Sequence, residues 1–207
     1  LRAKENPTHQ HGSALALSGD VATVGAPDAG RTMEEVAGQA HIYERRADFD
    51  WQQVQVAAPP AGVSSQDAFG RSVAVSGDVA MVGFTERYAK ESDPHVLIHV
   101  FTRVRPGLWE RSQELRIDEP GVNDKPLYAN IHLQKDRAMV VSDRGYVLFA
   151  RTSEGRWGRS RSRSLYEARY RLSPPVDRSA ALGARQLFFH ALGAPGSADD
   201  AADINVV

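Results

Sequence analysis

The phrase "LALSGDVATVGAP" (Leu15–Pro27) returns as "VAVSGDVAMVGF" at Val73–Phe84, and this recurrence constrains the fold more than any other feature of the 207 residues. At a step of 58 residues, Gly12 falls on Gly70, Ser18-Gly19-Asp20 on Ser76-Gly77-Asp78, and Val24-Gly25 on Val82-Gly83. His41-Ile42-Tyr43 falls on His99-Val100-Phe101, and Trp51 on Trp109. A second step carries Asp78 to Asp136 and Ala80-Met81-Val82 to Ala138-Met139-Val140. A loop ten residues shorter then brings Phe149 and Trp157 into the equivalent places. All three tryptophans thus stand eight residues after an aromatic: Tyr43, Phe101 and Phe149. A fourth, weaker copy runs from about Ser179, with "ALGAP" (Ala191–Pro195) matching "TVGAP" and "ADINVV" matching the strand of "AHIY". Periods of roughly 40 to 60 residues built from short strands are the mark of propeller blades and related arrays.

Local signals inside each copy agree with that period. "SALALSGD" alternates and runs into a tight turn at Ser-Gly-Asp. "VATVGAP" is a short apolar strand that stops where proline has no N–H for an interior ladder. "GQAHIYERR" and "DWQQVQVAA" supply a third and a fourth strand, and no segment has a helical period. The expected fold is all-β, a β-propeller of four-stranded antiparallel blades. Residues 1–207 form one domain in this reading, with blade copies at 12–60, 69–118, 127–173 and 179–207. The opening "LRAK" reads like the tail of a fourth strand, so residues 1–5 are expected to complete the last blade and close a four-bladed ring. The alternative is a part of a larger propeller.

At 42% hydrophobic and 25% charged residues, the composition is that of an ordinary globular chain, and no apolar run reaches the length of a membrane-spanning helix. A formal charge of −1 gives no overall attraction to nucleic acid or anionic lipid. The chain has no cysteine, which removes disulfides, thiolate metal sites and cysteine nucleophiles.

"FGRSVAVSGDVAMVG" from Phe69 and "GSALALSGDVATVGAP" from Gly12 resemble the FG-GAP repeat, found in integrin α-subunit heads and in many bacterial secreted or surface proteins. The resemblance is strongest over residues 1–173 and closest to the bacterial variety. It implies binding or adhesion rather than catalysis, and a secreted or cell-surface location. His11 stands where that family has Phe, Leu127-Tyr128 replaces Phe-Gly, and the third copy lacks Gly-Ala-Pro. Calcium-binding members carry several acids between the first two strands; one Asp after Ser-Gly does not supply the six to eight oxygens, roughly, that calcium takes. Neither a metal nor a cofactor is therefore expected.

Asp20, Asp78 and Asp136 read as turn residues rather than catalytic acids. His41 and His99 read as packing residues, and the pair His9 and His11 lacks a third ligand for zinc. No catalytic constellation is present, and the chain is read as a non-enzyme. Two long links, "APDAGRTMEEVAG" (26–38) and "FTERYAKESDPH" (84–95), leave equivalent strand ends and are expected on one rim. Arg31, Met33, Glu34, Glu35, Phe84, Arg87 and Tyr88 are their candidate contacts with a protein or glycan partner. The segment Arg151–Arg171 holds seven Arg against two Glu, with Trp157, Tyr166 and Tyr170 among them. Arg156, Arg159, Arg161 and Arg163 are candidates for a polyanion, although Arg-Ser alternation equally places Arg159, Arg161 and Arg163 on one solvated face of an outer strand. The acidic "ADDAAD" (198–203) reads as a solvated loop. The leading functional expectation is a binding module acting through rim loops; the second is a structural propeller segment that assembles with other chains.

Overall fold

The computed structural model describes residues 11–29, 38–46, 50–59, 68–86, 95–118, 129–142, 145–164, 176–182 and 187–191. All regular structure among them is β. The first sheet, in order β1-β2-β3-β4, takes β1 (Ala14–Ser18), β2 (Val21–Ala26), β3 (Gln39–Arg45) and β4 (Trp51–Ala57). The second repeats it with β5 (Ser72–Ser76), β6 (Val79–Glu86), β7 (His95–Arg105) and β8 (Leu108–Asp118). The third repeats it again with β9 (Ala129–Gln134), β10 (Arg137–Ser142), β11 (Gly145–Arg151) and β12 (Trp157–Ser164). β13 (Val176–Leu182) and β14 (Leu187–Ala191) form an antiparallel pair in the region of the fourth copy. Within these sheets the pairing is antiparallel between consecutive strands, and Gly38 and Phe69 form an isolated parallel bridge outside them. Residues 1–5, most of "ALGAP" and all of "ADINVV" lie outside the described residues.

The repeated phrase is the first hairpin of each sheet. Ser18 pairs with Val21 and Ser76 with Val79, which leaves Gly-Asp as a two-residue turn. The first turn residue takes a left-handed φ, 59° at Gly19 and 58° at Gly77, a region open to glycine; in the third copy Lys135 adopts it at 51°. The recurring Asp has a backbone task. The carbonyls of Asp20, Asp78 and Asp136 accept the N–H groups of Arg45, Arg103 and Arg151 at 2.7, 2.8 and 2.7 Å, tying the turn to the end of the third strand.

A β-bulge also recurs, and it lies next to the repeating aromatic. The register shifts between Ile42 and Tyr43, between Val100 and Phe101, and between Leu148 and Phe149. The extra residue on the fourth strand is Val54, Ser112 or Ser160 by register. Ser112 and Ser160 each donate a hydroxyl hydrogen bond back across the bulge, to the carbonyls of Val100 and Leu148. Such a bulge bends and twists the outer strand. It leaves Trp51, Trp109 and Trp157 opposite Arg45, Arg103 and Arg151.

The chain divides into two compact units, Leu1–Ile131 and His132–Val207. In the first unit the sheets β1–β4 and β5–β8 stack over a shared core. Val21, Ala40, Ile42 and Ala57 from one sheet meet Val73, Val75, Val82, Phe84, Phe101 and Trp109 from the other, with Phe69 fully buried among them. The link into β5 lies against the first sheet at backbone distance: a Cβ on Gly25 would sit 1.9 Å from the Gly70 carbonyl oxygen, and Gly38 bridges Phe69 at a φ of 104°. The Phe-Gly of the second copy is thus seated on the Gly-Ala of the first. Near the end of this unit, the Ser72 hydroxyl accepts the Ile131 N–H at 2.9 Å. In the second unit, β10–β12 bury Ala138, Met139, Val140, Tyr146, Val147, Phe149 and Trp157.

Candidate binding surface

Period-2 alternation gives the first sheet two distinct faces. Cross-strand rows place Ala14, Gly25, Ala40 and Ala57 on one face, together with Ala16, Thr23, Ile42 and Gln55, and with Ser18, Val21, Glu44 and Gln52. This face packs on the second sheet. The opposite face holds the rows Leu15-Val24-His41-Val56 and Leu17-Ala22-Tyr43-Gln53, with Arg45 paired to Trp51 beyond them.

The packed face is locked at one end by a buried carboxylate. Glu44, 5% exposed, accepts three hydrogen bonds from the second sheet: Trp109 Nε1–H at 2.7 Å, Arg103 Nη2–H at 2.8 Å and the Gly107 amide at 2.9 Å. Asp20 reinforces the same guanidinium, with Oδ2 3.5 Å from Arg103 Nη1. At the adjacent turn, the Gly77 N–H donates to Ser18 Oγ. A buried carboxylate is tolerable when paired and fully hydrogen-bonded, and both conditions hold here.

Beside the lock lies an aromatic cluster around His99, which is 1% exposed. Its ring sits 5.4 Å from Phe69, 5.3 Å from Phe84 and 6.4 Å from Phe101. Nε2 lies 3.0 Å from Glu114 Oε2 and 3.4 Å from Arg111 Nη1. Burial first, and the Arg111 charge second, hold the imidazole below the ordinary histidine range, against the opposing pull of Glu114.

The opposite face of the first sheet carries the matching residues. One period earlier, Phe69, Val73, Val75, His99, Phe101, Arg103 and Trp109 become His11, Leu15, Leu17, His41, Tyr43, Arg45 and Trp51. His11 and His41 meet edge to face at 4.8 Å, while His41 Nδ1 and the Tyr43 hydroxyl both reach Gln53 Oε1, at 3.0 and 3.3 Å. Burial lowers the pKa of His11 and raises that of Tyr43. Exposure is where the two faces part. Val73 and Ile131 are 8% and 6% exposed, but their counterpart Leu15 is 65% exposed, and Leu17 is 64% exposed. Val56, at 39%, shares this face. Three of the four exposed large hydrophobic side chains among the described residues therefore lie on one surface of one sheet. Isolated exposed apolar residues are ordinary, but a grouped set marks an interaction surface.

Phe84 is not a rim contact. β6 runs on through Glu86, and the Phe84 ring lies 3% exposed in the core against Phe69 and His99, because its place alternates inward with Ala80 and Val82. Arg31, Met33, Glu34, Glu35, Arg87 and Tyr88 lie outside the described residues, as do His9 and "ADDAAD". Arg156 and Arg159 are exposed, and Arg159, Arg161 and Arg163 belong to β12, an edge strand of its sheet as expected. The bulge alters their alternation, however. By backbone register Arg159 pairs with Phe149 and Arg161 with Leu148 across the bulge, and the side chains of Arg161 and Arg163 lie outside the description. Among the described residues no three His, Asp or Glu side chains are grouped to hold a metal ion, and no helix is long and apolar enough to cross a membrane. Neither known protein-family models nor curated proteins give a match to this chain.

Glu44 and the Leu15–Leu17 pair were not apparent from the sequence. Glu44 has Thr102 and Ala150 at its repeat positions, so a search for recurring acids passes over it. "LALS" and "VAVS" carry the same alternation, and nothing local distinguishes the covered strand from the exposed one.

Proposed function

We propose that this chain is a non-enzymatic, exported binding module, a β-propeller of the FG-GAP kind, whose partner is another protein. The repeat register, the recurring hairpin and the recurring bulge support the repeat reading. One observation carries the functional reading: Leu15 and Leu17 stand exposed on a face whose repeat counterparts Val73 and Val75 are buried against a neighbouring sheet. That face is built to be covered, and covering two leucines and part of an indole offers several kcal/mol of apolar burial, at about 1.5–3 kcal/mol per fully buried side chain. The rim-loop contacts other than Phe84 are kept as a secondary element of this binding role.

The test is differential. The chain and its Leu15→Asp/Leu17→Asp variant are immobilised and exposed to surface and secreted proteins of the source cell, and retained species are purified and titrated against both forms. The reading predicts a purified protein that binds the unmodified chain and loses at least tenfold affinity, or about 1.4 kcal/mol, toward the variant. Equal binding to both forms would remove the face from the account.

A further inference from the structure

We infer that the buried His99 is an acid-operated latch on the link into β5: as the medium acidifies, Phe69 lifts and the seam between the first and second sheets opens before the sheets themselves unfold. Phe69 serves both the ring cluster and the seam. Its side chain, fully buried, lies 5.4 Å from the His99 ring and 5.2 Å from Phe84. Its backbone bridges Gly38, and the next carbonyl, that of Gly70, presses on Gly25 of the first sheet. The link is also held against its own preference. Ala68, just before Phe69, takes a left-handed φ of 51°, a conformation disfavoured by any residue with a Cβ and relieved when the link lifts.

A neutral imidazole fits this place and a charged one does not. The Glu114 carboxylate can only accept, so the bond from Nε2 at 3.0 Å puts the neutral ring's proton on Nε2. Nδ1 is buried without a hydrogen-bond partner, on a ring caged by Phe69, Phe84 and Phe101. A second proton would sit there as an N–H without an acceptor, on a residue 1% open to water. The charged groups facing the ring both come from β8. Arg111 Nη1, 3.4 Å from Nε2, opposes a second positive charge, while Glu114, 45% exposed, attracts it. β6, the link and the ring's own strand present phenylalanines to it, and the first sheet adds apolar residues to the same core. The acid of the first sheet at this seam, Glu44, is engaged by Arg103 and Trp109. Lifting Phe69 opens the cage and wets Nδ1, so the open form takes up the proton that the closed form excludes. Burial, then Arg111, hold the closed ring below its ordinary range; the proton-linked part of closure is therefore complete above about pH 6.5 and is lost as pH falls toward the closed value.

Amide hydrogen exchange of the intact chain tests the latch, measured at about pH 7.5 and 5.5 with each rate divided by the intrinsic rate at that pH. The reporter is the Arg71 N–H, which donates to the Ala68 carbonyl at 3.0 Å across Phe69. With an open form titrating near the ordinary 6.5 and a closed form that stays neutral, Arg71 protection falls about tenfold between the two conditions. Lifting the link exposes little surface, so this exchange should ignore low urea, whereas the interior amides of β6, which exchange through unfolding, should respond steeply. His99→Phe and His99→Leu both keep the site apolar, and each should abolish the pH effect on Arg71; the two are run side by side so that failure of one to fold does not end the test. Protection that stays constant with pH overturns the latch. So does a fall that persists without His99, which assigns it to another group. An Arg71 amide that tracks β6 in urea overturns it as well, since the acid response is then unfolding of the sheets.

Discussion

Removing the carboxylate of Glu44 tests the lock between the first two sheets. In Glu44→Ala the Trp109 N–H, 2% exposed at the residue level, loses its acceptor, and the Gly107 amide and one Arg103 nitrogen lose theirs. Breaking a buried charged pair from one side costs about 3–5 kcal/mol. Arg103 keeps 20% side-chain exposure and retains Asp20 at 3.5 Å, which places the expected loss at the lower end, about 3 kcal/mol. With a urea dependence of about 2 kcal/mol per molar, the unfolding midpoint followed by tryptophan fluorescence falls by about 1.5 M. Trp109→Phe keeps most of the ring and removes the donor, so in that background Glu44→Ala costs about 1.5 kcal/mol less. A Glu44→Ala shift below about 0.5 kcal/mol, or effects of the two substitutions that simply add, would refute the lock.

Three further outcomes follow from particular residues. Gly25→Ala puts a methyl 1.9 Å from a backbone oxygen and costs about 3 kcal/mol or more, whereas Gly77→Ala, with nothing within 4 Å, pays only the left-handed φ, about 1–2 kcal/mol; urea midpoints separate the pair. His99 is held below its unfolded pKa by burial, so the unfolded chain binds its proton first, and stability present above about pH 6.5 is lost as pH falls through the folded value. His99→Phe should flatten the fall in urea midpoint between pH 7.5 and 5.5, and an unchanged slope would assign it elsewhere. Retention on heparin at low salt should be weak and insensitive to changing Arg156, Arg159, Arg161 and Arg163 to Ser, as expected for an edge strand; a marked loss of retention would revive the polyanion site.

The strands and turns were legible because the signals were local and repeated. Ser-Gly-Asp specified the hairpin, and the Trp eight residues after an aromatic marked a bulged third-to-fourth-strand pair, although the bulge itself needed the observed register. That register also places the residue inserted at Ser160, which simple alternation along β12 does not reveal. Phe84 was misplaced because the strand continues past Gly83, where the sequence had offered a loop. The surface was less legible for a different reason. Whether Leu15 or Val73 is covered depends on what stacks above the sheet, a long-range property that identical alternation does not encode. Glu44 matters through residues about 60 positions away in the next copy, so its role emerges only once two sheets are stacked.

If one face of the first sheet is open for a partner as proposed, the free chain itself shows it. Urea midpoints are compared for Leu15→Asp/Leu17→Asp and for Val73→Asp, the same strand position one period later. The exposed pair should shift stability by no more than about 0.5 kcal/mol, while the buried valine should cost more than about 3 kcal/mol. A leucine pair as costly as Val73 would mean that the face is already filled in the free chain, and the account would fail there.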